Sequence, residues 1–367
     1  MTPPVPGATE RSPRQDIEDD GFPAVAAVDP RTDPRWLALA SDPGGSLFTS
    51  PPWISAVSAT YGFTPSARVL LDPSGAPRAG LAWTDVDDLR GRRRLSLPFS
   101  DRADPIVGDD GTWPAVSAAA FTGGLPFTLR CLDTSPAVVD PRFTTVGEAA
   151  WHLTPLDRPL DDVHAAFRSQ TRRNIARAEE AGVEVVLSAE AEAVWQFHRI
   201  HVDLRKRKYR LLAQSREFFE RIWETFSPAD AIRTALALVD GRPVAGAVYL
   251  VWGDTVYYKF GASDAESLPL RPNDAIHWQL IRWAHQRGLR ALDWGLSDLD
   301  QPGLCAYKRK WASVEGRIRT LNAGGPPLGR RSDVEETLSV VTDLLTDPAV
   351  PNAVSERAGA ALYRFFC

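Results

Sequence analysis

Two short stretches of this 367-residue sequence follow one pattern: Gly75-Ala76-Pro77-Arg78-Ala79-Gly80 and Gly241-Arg242-Pro243-Val244-Ala245-Gly246. Each follows an apolar run that ends in aspartate and precedes a second apolar run, which is the sequence pattern of a β-hairpin. Glycine and proline occur in many hairpin turns, so a chance match is one explanation. We favour the other, an internal duplication that gives two similar domains with a cleft between them, where ligands preferentially bind.

Helical and strand patterns alternate along the chain, which predicts a mixed α/β (α+β) fold rather than a bundle or a sandwich. Apolar spacing predicts helices at 52–61, 161–181 and 190–209, and strands at 79–86, 256–263 and 291–297. Residues 301–311, QPGLCAYKRKW, are predicted to form a loop. We expect a disordered tail at 1–23, a first domain at 24–155, a second domain at 156–325 and C-terminal helices at 326–367.

The composition narrows the class of protein. The formal net charge is −5, which argues against a surface that coats nucleic acid. The three cysteines are far apart, so neither a disulfide framework nor a zinc site is expected, and a reducing compartment is favoured. No apolar run has the length of a signal peptide or a membrane span. We therefore expect a cytoplasmic protein with no membrane span and no metal.

Several common catalytic motifs are missing from the sequence. There is no G-x-S-x-G elbow, no phosphate-binding P-loop, no H-E-x-x-H and no G-x-G-x-x-G. His198 and His201 have helical i, i+3 spacing, but no third metal ligand is evident, so we interpret them as ordinary helix residues.

Lysine is rare in this chain, since it supplies five of the 42 basic side chains. Two of the five, Lys308 and Lys310, lie beside aromatic residues in the 301–311 segment, and Lys259 lies in a predicted strand. Lys308 could stabilise the oxyanion of a tetrahedral intermediate by its charge. Asp101 and Asp104, in a proline-bounded loop, could each accept a proton from an attacking ammonium or simply cap a turn.

Four arginines, Arg168, Arg172, Arg173 and Arg177, have i, i+4 spacing in the predicted helix 161–181. Arginine binds phosphate oxygens in a bidentate manner, so this face suits a phosphorylated substrate or an RNA backbone. A solvated face paired with nearby acids is the equal alternative. A second basic cluster, Arg205–Arg210, is also explained by its position at a helix C-terminus.

An ordered set of motifs resembles the FemAB family. The motifs are FTSPPW (48–53), LPFSD (97–101), TRRNIARAEEAGV (171–183), YKFGAS (258–263), PNDAIHW (272–278) and GLxxYKxKW (303–311). The resemblance implies two tandem GNAT-like domains with a cleft between them. It also implies amide formation, with an aminoacyl-tRNA or an acyl-CoA as co-substrate and no permanently bound cofactor.

The resemblance assigns roles to individual positions. It makes Lys308 the residue that stabilises negative charge, with Tyr307 beside it, and makes Asp101 the candidate base. The candidate substrate-binding residues that it adds are Arg168, Arg172, Arg173, Lys259, Phe260, Asn273 and Trp278.

Two departures from related patterns bear on the donor. The loop LPLRPND (268–274) replaces the glycine-rich loop with which GNAT acetyltransferases hold the pyrophosphate of acetyl-CoA at a helix N-terminus. The long helical arm of some FemAB proteins is also missing, so the chain resembles the compact FemX-type members, and the resemblance implies no contact with tRNA through such an arm.

Three functions follow from these observations. The first is transfer of an aminoacyl or acyl group to the amine of a small molecule or a cell-envelope precursor, with tRNA as a candidate partner. The second is an N-acetyltransferase of polysaccharide or natural-product biosynthesis that uses acyl-CoA or a carrier thioester. The third is an inactive tandem-GNAT protein that binds RNA or a protein partner.

Overall fold

The computed structural model describes residues 24–324 and 332–367. The tail predicted for residues 1–23 lies outside the described residues. The first half is here residues 24–155 and the second half is residues 156–324.

The described chain alternates strands and helices, as the sequence predicts. The strands are β1 (Val25–Val28), β2 (Pro65–Leu71), β3 (Pro77–Asp88), β4 (Gly91–Leu95), β5 (Ile106–Val107), β6 (Phe127–Leu132), β7 (Thr144–Pro155), β8 (Glu184–Ser188), β9 (Ile232–Val239), β10 (Arg242–Trp252), β11 (Thr255–Ser263), β12 (Ala291–Asp298) and β13 (Val314–Ala323). The helices are α1 (Pro34–Ser41), α2 (Pro51–Tyr61), α3 (Trp113–Ala118), α4 (Leu160–Ala166), α5 (Ser169–Glu180), α6 (Ala191–Arg207), α7 (Arg216–Phe226), α8 (Pro272–Gln286), α9 (Pro302–Arg309), α10 (Ser332–Leu345) and α11 (Asn352–Leu362).

All of these strands belong to one sheet in the order β1-β2-β3-β4-β6-β13-β7-β12-β11-β10-β9-β8, with β5 beside β3. Each half contributes a run of antiparallel strands and one parallel pair, β4 with β6 and β11 with β12. The final strands are exchanged: β7 of the first half pairs with β12 of the second, and β13 pairs with β6. β7 and β13 pair with each other at the centre, so the two halves share one continuous sheet.

The two hairpins noted in the sequence occupy equivalent places in the two halves, which confirms the duplication. The β2-β3 pairing shifts register near Pro77, and the β9-β10 pairing shifts register near Pro243. A Cβ on Gly80 would meet the side chain of Trp36 from α1 at 2.9 Å. A Cβ on Gly246 would meet Phe197 from α6 at 3.0 Å. Both glycines therefore let a helix pack closely on the hairpin.

Helices cover the sheet and connect the halves. α2 of the first half packs against α7 of the second, where the rings of Trp53 and Phe218 meet edge to face with centroids 6.2 Å apart. α8 packs on the other face around a core that includes Ile276, Leu280 and Trp294. In the part of the chain that is described, no helix combines the length and the apolar character needed to cross a membrane.

Two secondary-structure predictions are wrong. The helix predicted for 161–181 is two helices, because Phe167 and Arg168 are extended and the ring of Phe167 is buried against Trp278 and Trp311. The loop predicted for 301–311 contains α9, whose first residue, Pro302, has the backbone angle that begins a helix.

Candidate active site

The site forms where β11 and β12 separate. Their parallel pairing ends at Tyr257 and Asp293, and both strands then carry a bulge. In β11 the extra residue is Lys259, and in β12 the residues Trp294 and Gly295 are inserted opposite one residue of β7. Bulges redirect side chains and free backbone groups from the ladder, and here two of them face one gap.

Asp101 reaches this gap from a strained loop of the first half. Leu97 and Phe99 have φ values of 57° and 58°, a left-handed backbone conformation that is costly for residues other than glycine. One carboxylate oxygen of Asp101 lies 2.5 Å from the Lys259 ammonium, and the other accepts the Leu296 N–H at 3.1 Å. The first half therefore supplies an acid to the parallel pair of the second half.

The glycine at position 295 makes this approach possible. Gly295 has φ +66°, and a Cβ built on it would lie 2.3 Å from a carboxylate oxygen of Asp101. Any other residue would be strained and would also displace the carboxylate.

Lys308 enters the same gap from α9 and is buried, with 4% of its surface exposed. Its ammonium donates to the carbonyls of Leu296 at 2.7 Å and Gly295 at 3.3 Å. The N–H and C=O of Leu296 thus hold Asp101 and Lys308 respectively. Because both groups of one strand residue point to the same strand edge, the acid and the ammonium are neighbours.

The charges in the gap shift one another's protonation. Burial lowers the pKa of Lys308 to about 8, although the charges of Asp101 and Asp293 oppose that effect. Burial raises the pKa of Asp101, but the charge and hydrogen bond of Lys259 outweigh it and leave the pKa below its usual value. The Lys308 ammonium therefore titrates close to neutral pH, and Asp101 is a weak base.

The second acid of the loop, Asp104, has a structural task. It pairs with Arg102 and accepts the backbone N–H of Leu132 at 2.7 Å. Arg102 also lies 3.9 Å from Asp293, whose carboxylate accepts the N–H of Gly295 at 2.7 Å. Burial raises the pKa of Asp293. Asp104 and Asp293 thus fix the loop and the bulge on either side of Asp101.

The N-terminus of α8 is already occupied by groups of this chain. Pro272 has no N–H, and the buried carboxylate of Asp274 receives the Lys310 ammonium at 2.6 Å and the Asn174 amide at 3.4 Å. Asn273 donates to the Ser263 hydroxyl at 3.3 Å and ties the loop to β11. Lys308 of α9 therefore lies in the gap, whereas Lys310, at the C-terminal end of α9, joins helices.

The remaining aromatic candidates pack in or against the apolar cores. Tyr307 packs beside His277 with ring centroids 5.8 Å apart. Phe260 belongs to the core around Phe219. Trp278 packs between α8 and α4, against His164.

The arginine side chains of the predicted helix 161–181 do not converge on one face as their spacing predicts. Arg172 donates to the carbonyls of Ala165 and Phe167 and so caps α4. Arg173 binds Gln170 at 2.8 Å, and Arg168 precedes α5 rather than lying within it. Arg172 is thus committed to the backbone, whereas Arg168 and Arg173 are exposed.

The histidine pair is structural, in agreement with its interpretation from sequence. His198 and His201 both contact Gln214, at 3.1 Å and 2.8 Å. Over residues 24–324 and 332–367, no three His, Cys, Asp or Glu side chains converge as a metal site.

A cavity of about 460 Å³ opens beside Asp101. Its walls come from the strained loop, from β6 and β13, and from the C-terminal segment at Phe366 and Cys367. A second cavity, of about 950 Å³, lies between α6 and the ends of β10 and β11.

The sequence patterns did not predict the backbone groups that contribute to this site. The sequence patterns predict Asp293 only as part of a strand, and they give Gly295 and Leu296 no role. The glycine inside the predicted strand 291–297 is the signal that could have found them, because glycine in a strand often marks a bulge or a close approach.

Part of the chain matches a known family at the level of sequence. Residues 165–309 match the family model described as an acetyltransferase (GNAT) domain. An 80-residue stretch is 29% identical to the lipid II:glycine glycyltransferase of Staphylococcus epidermidis. That alignment covers 20% of this chain and 19% of the relative, so the chain spans about a fifth of the curated relative's length.

Solved structures extend the likeness to most of the chain. FemX has a TM-score of 0.63 at 14% identity, over 82% of this chain and 96% of that one. L-PGS from Bacillus licheniformis has a TM-score of 0.52 at 18% identity, over 86% and 98%. A tandem GNAT protein from the clavulanic acid biosynthesis pathway has a TM-score of 0.50 at 14% identity, over 83% and 99%. At these identities the likeness concerns the fold alone, so the chain has the tandem GNAT fold, and residues 165–309 match a GNAT acetyltransferase domain.

Proposed function

We propose that this protein is an N-acyltransferase that joins an activated acyl or aminoacyl group to an amine. The observation that carries the proposal is the gap in which Lys308 and Asp101 bind the C=O and N–H of Leu296. An ammonium has three N–H donors, and the carbonyls of Gly295 and Leu296 use two. Within residues 24–324 and 332–367 the third N–H has no acceptor, which leaves it for an oxyanion.

The reaction is a direct transfer without a covalent enzyme intermediate. The acceptor ammonium loses a proton to water and attacks the donor carbonyl, and Lys308 stabilises the oxyanion that forms. Collapse of the intermediate breaks the bond from the donor's carbonyl carbon to its ester oxygen or thioester sulfur and forms the amide. The alkoxide or thiolate that is expelled takes the second amine proton and leaves as a hydroxyl or thiol. Asp101 orients the amine by its charge, since its lowered pKa makes it a poor proton acceptor.

The donor that we favour is an aminoacyl ester such as an aminoacyl-tRNA. A CoA pyrophosphate would need free N–H groups at the start of α8, where Pro272 has none and the first turn already holds the ion pair of Asp274 and Lys310. The acceptor that we favour is the amine of a cell-envelope precursor, by analogy with the glycyltransferase of S. epidermidis. The match of residues 165–309 to an acetyltransferase domain supports acyl-CoA as the second candidate donor.

A donor screen by mass spectrometry tests the proposal. The protein is incubated with charged tRNAs or with acyl-CoAs and a mixed pool of amines, and Lys308→Met serves as the control variant. We expect new amides with charged tRNA that Lys308→Met forms at least about 100-fold more slowly. Product from acyl-CoA alone would favour the second donor. No product from any donor would favour a binding protein, and turnover by Lys308→Met at the wild-type rate would remove Lys308 from the mechanism.

A further inference from the structure

Among the described residues that line the cavity beside Asp101, Arg130 is a cation whose side chain has no described partner. Arg130 lines it and is exposed, and among the described residues its guanidinium makes no ion pair or hydrogen bond. The other arginines of the same cavity are engaged. Arg93 is paired with Asp88 at 2.6 Å, and Arg90 donates to a backbone carbonyl at 3.2 Å.

Arg130 is fixed next to the loop that presents Asp101. Its backbone N–H donates to the Ser96 hydroxyl at 2.9 Å, and its carbonyl accepts the N–H of Ala103 at 2.8 Å. Both contacts belong to the 96–103 segment, on either side of Asp101. The cation and the acid therefore occupy one rigid unit and face one cavity.

The cavity is also of the size and character of a small-molecule site. Its volume of about 460 Å³ lies within the range of pockets that enclose drug-sized ligands. Phe99 and Leu95 give apolar walls, and Ser96 and Thr128 add hydroxyls.

We infer that this cavity binds the acceptor, and that the acceptor carries an anionic group, a carboxylate or a phosphate, as well as its amine. The amine faces Asp101 and the anion pairs with Arg130. Asp101 retains the capacity for this contact, because its oxygens accept one bond each from Lys259 and Leu296, and a carboxylate offers about four lone-pair sites. Arg130 is then a specificity-determining residue. This inference rests on the proposed function, because it assigns the acceptor side of that reaction.

Direct binding tests the inference separately from turnover. The probes are glycine, 4-aminobutanoate and 6-aminohexanoate, with phosphoethanolamine for the phosphate arm and butylamine and butanoate as ligands with one charge. Calorimetric titration is made on the wild type, on Arg130→Gln and on Arg242→Gln, which neutralises an exposed arginine in the second cavity. Circular dichroism checks that each variant is folded.

We expect at least one doubly charged probe to bind the wild type more tightly than either singly charged ligand. Arg130→Gln should weaken it by roughly tenfold or more, whereas Arg242→Gln should not. The preferred probe distinguishes a carboxylate acceptor from a phosphate one. Equal binding by Arg130→Gln, a loss confined to Arg242→Gln, or no binding by any probe would each overturn the inference. Probe binding without turnover on any donor would instead count against the proposed function alone.

Discussion

Gly295 is the residue whose replacement should damage the site most specifically. Its φ of +66° is unfavourable for alanine, and a Cβ would lie 2.3 Å from the Asp101 carboxylate. We expect Gly295→Ala to lose about 1–2 kcal/mol of stability from backbone strain alone, and to lose most activity because Asp101 is displaced. Urea unfolding and steady-state turnover measure the two effects.

Gly253 provides the matched control for that substitution. It has a φ of +58°, and a Cβ added to it would meet no heavy atom within 4 Å, so Gly253→Ala carries the strain without the collision. It should lose a similar amount of stability and keep its activity. Equal turnover by the two variants would show that the position of Asp101 does not matter.

Lys308 should give the pH profile of the activity a basic limb, that is, a decrease at high pH. Burial lowers its pKa to about 8, so above that pH the ammonium loses its proton and with it the charge that stabilises an oxyanion. We expect kcat to fall as the pH rises through about 8. A pH profile from 6 to 10 measures it, and Lys308→Arg, which stays charged, should lack this limb even if its rate is low. A wild-type profile that is flat to pH 10 would contradict the assignment.

The lowered pKa of Lys308 should also make the stability of the protein depend on pH. Between about pH 8 and the ordinary lysine pKa near 10.5, folded Lys308 is deprotonated while the unfolded chain still binds the proton. The unfolded state then holds more protons, so stability rises with pH across this window. Urea unfolding at pH 7.5, 9 and 10 should show the wild type gaining stability relative to Lys308→Met. A constant difference between the two proteins would count against the lowered pKa.

Lys310, at the end of α9, links three helices through its ion pair with a buried carboxylate. Its ammonium lies 2.6 Å from the buried Asp274 of α8, which also accepts the amide of Asn174 from α5. Removing one partner of a buried pair leaves the other charge uncompensated. We expect Lys310→Met to cost about 3 kcal/mol in urea unfolding. Adding Asp274→Asn should restore part of the loss, and a double variant no more stable than the single one would argue against this cause.

Sequence patterns could predict the elements better than the breaks between them. The hairpin repeat located equivalent parts of the sheet because Gly80 and Gly246 are needed where helices pack closely. The break at Phe167 has no proline or glycine to mark it, because it results from burial of the ring against distant tryptophans. Lys308 and Asp101 could be named from sequence, but their common link through the Leu296 backbone depends on two bulges that only the folded sheet creates.

The exchanged strands make the folding of each half depend on the other half. β13 lies between β6 and β7, and β7 lies between β13 and β12, so neither half completes its sheet alone. The ion pair between Asp101 and Lys259 adds a contact between the halves at the candidate site. Calorimetry should therefore show one transition with a calorimetric enthalpy close to the van't Hoff enthalpy. Two resolved transitions would contradict this coupling.

A fragment without β7 tests the dependence of the second half on the shared sheet. Residues 156–324 contain the matched GNAT domain but lack β7, which would leave β12 and β13 without the strand between them. The unpaired edges expose backbone groups that favour aggregation. We expect this fragment to be insoluble or to bind hydrophobic dyes, and a fragment of residues 144–324 to be more soluble because β7 restores both pairings. Sedimentation and circular dichroism compare the two, and a 156–324 fragment that is monomeric and folded would show that the shared sheet is not required. Even the longer fragment should be inactive, since Asp101 comes from the half that it lacks.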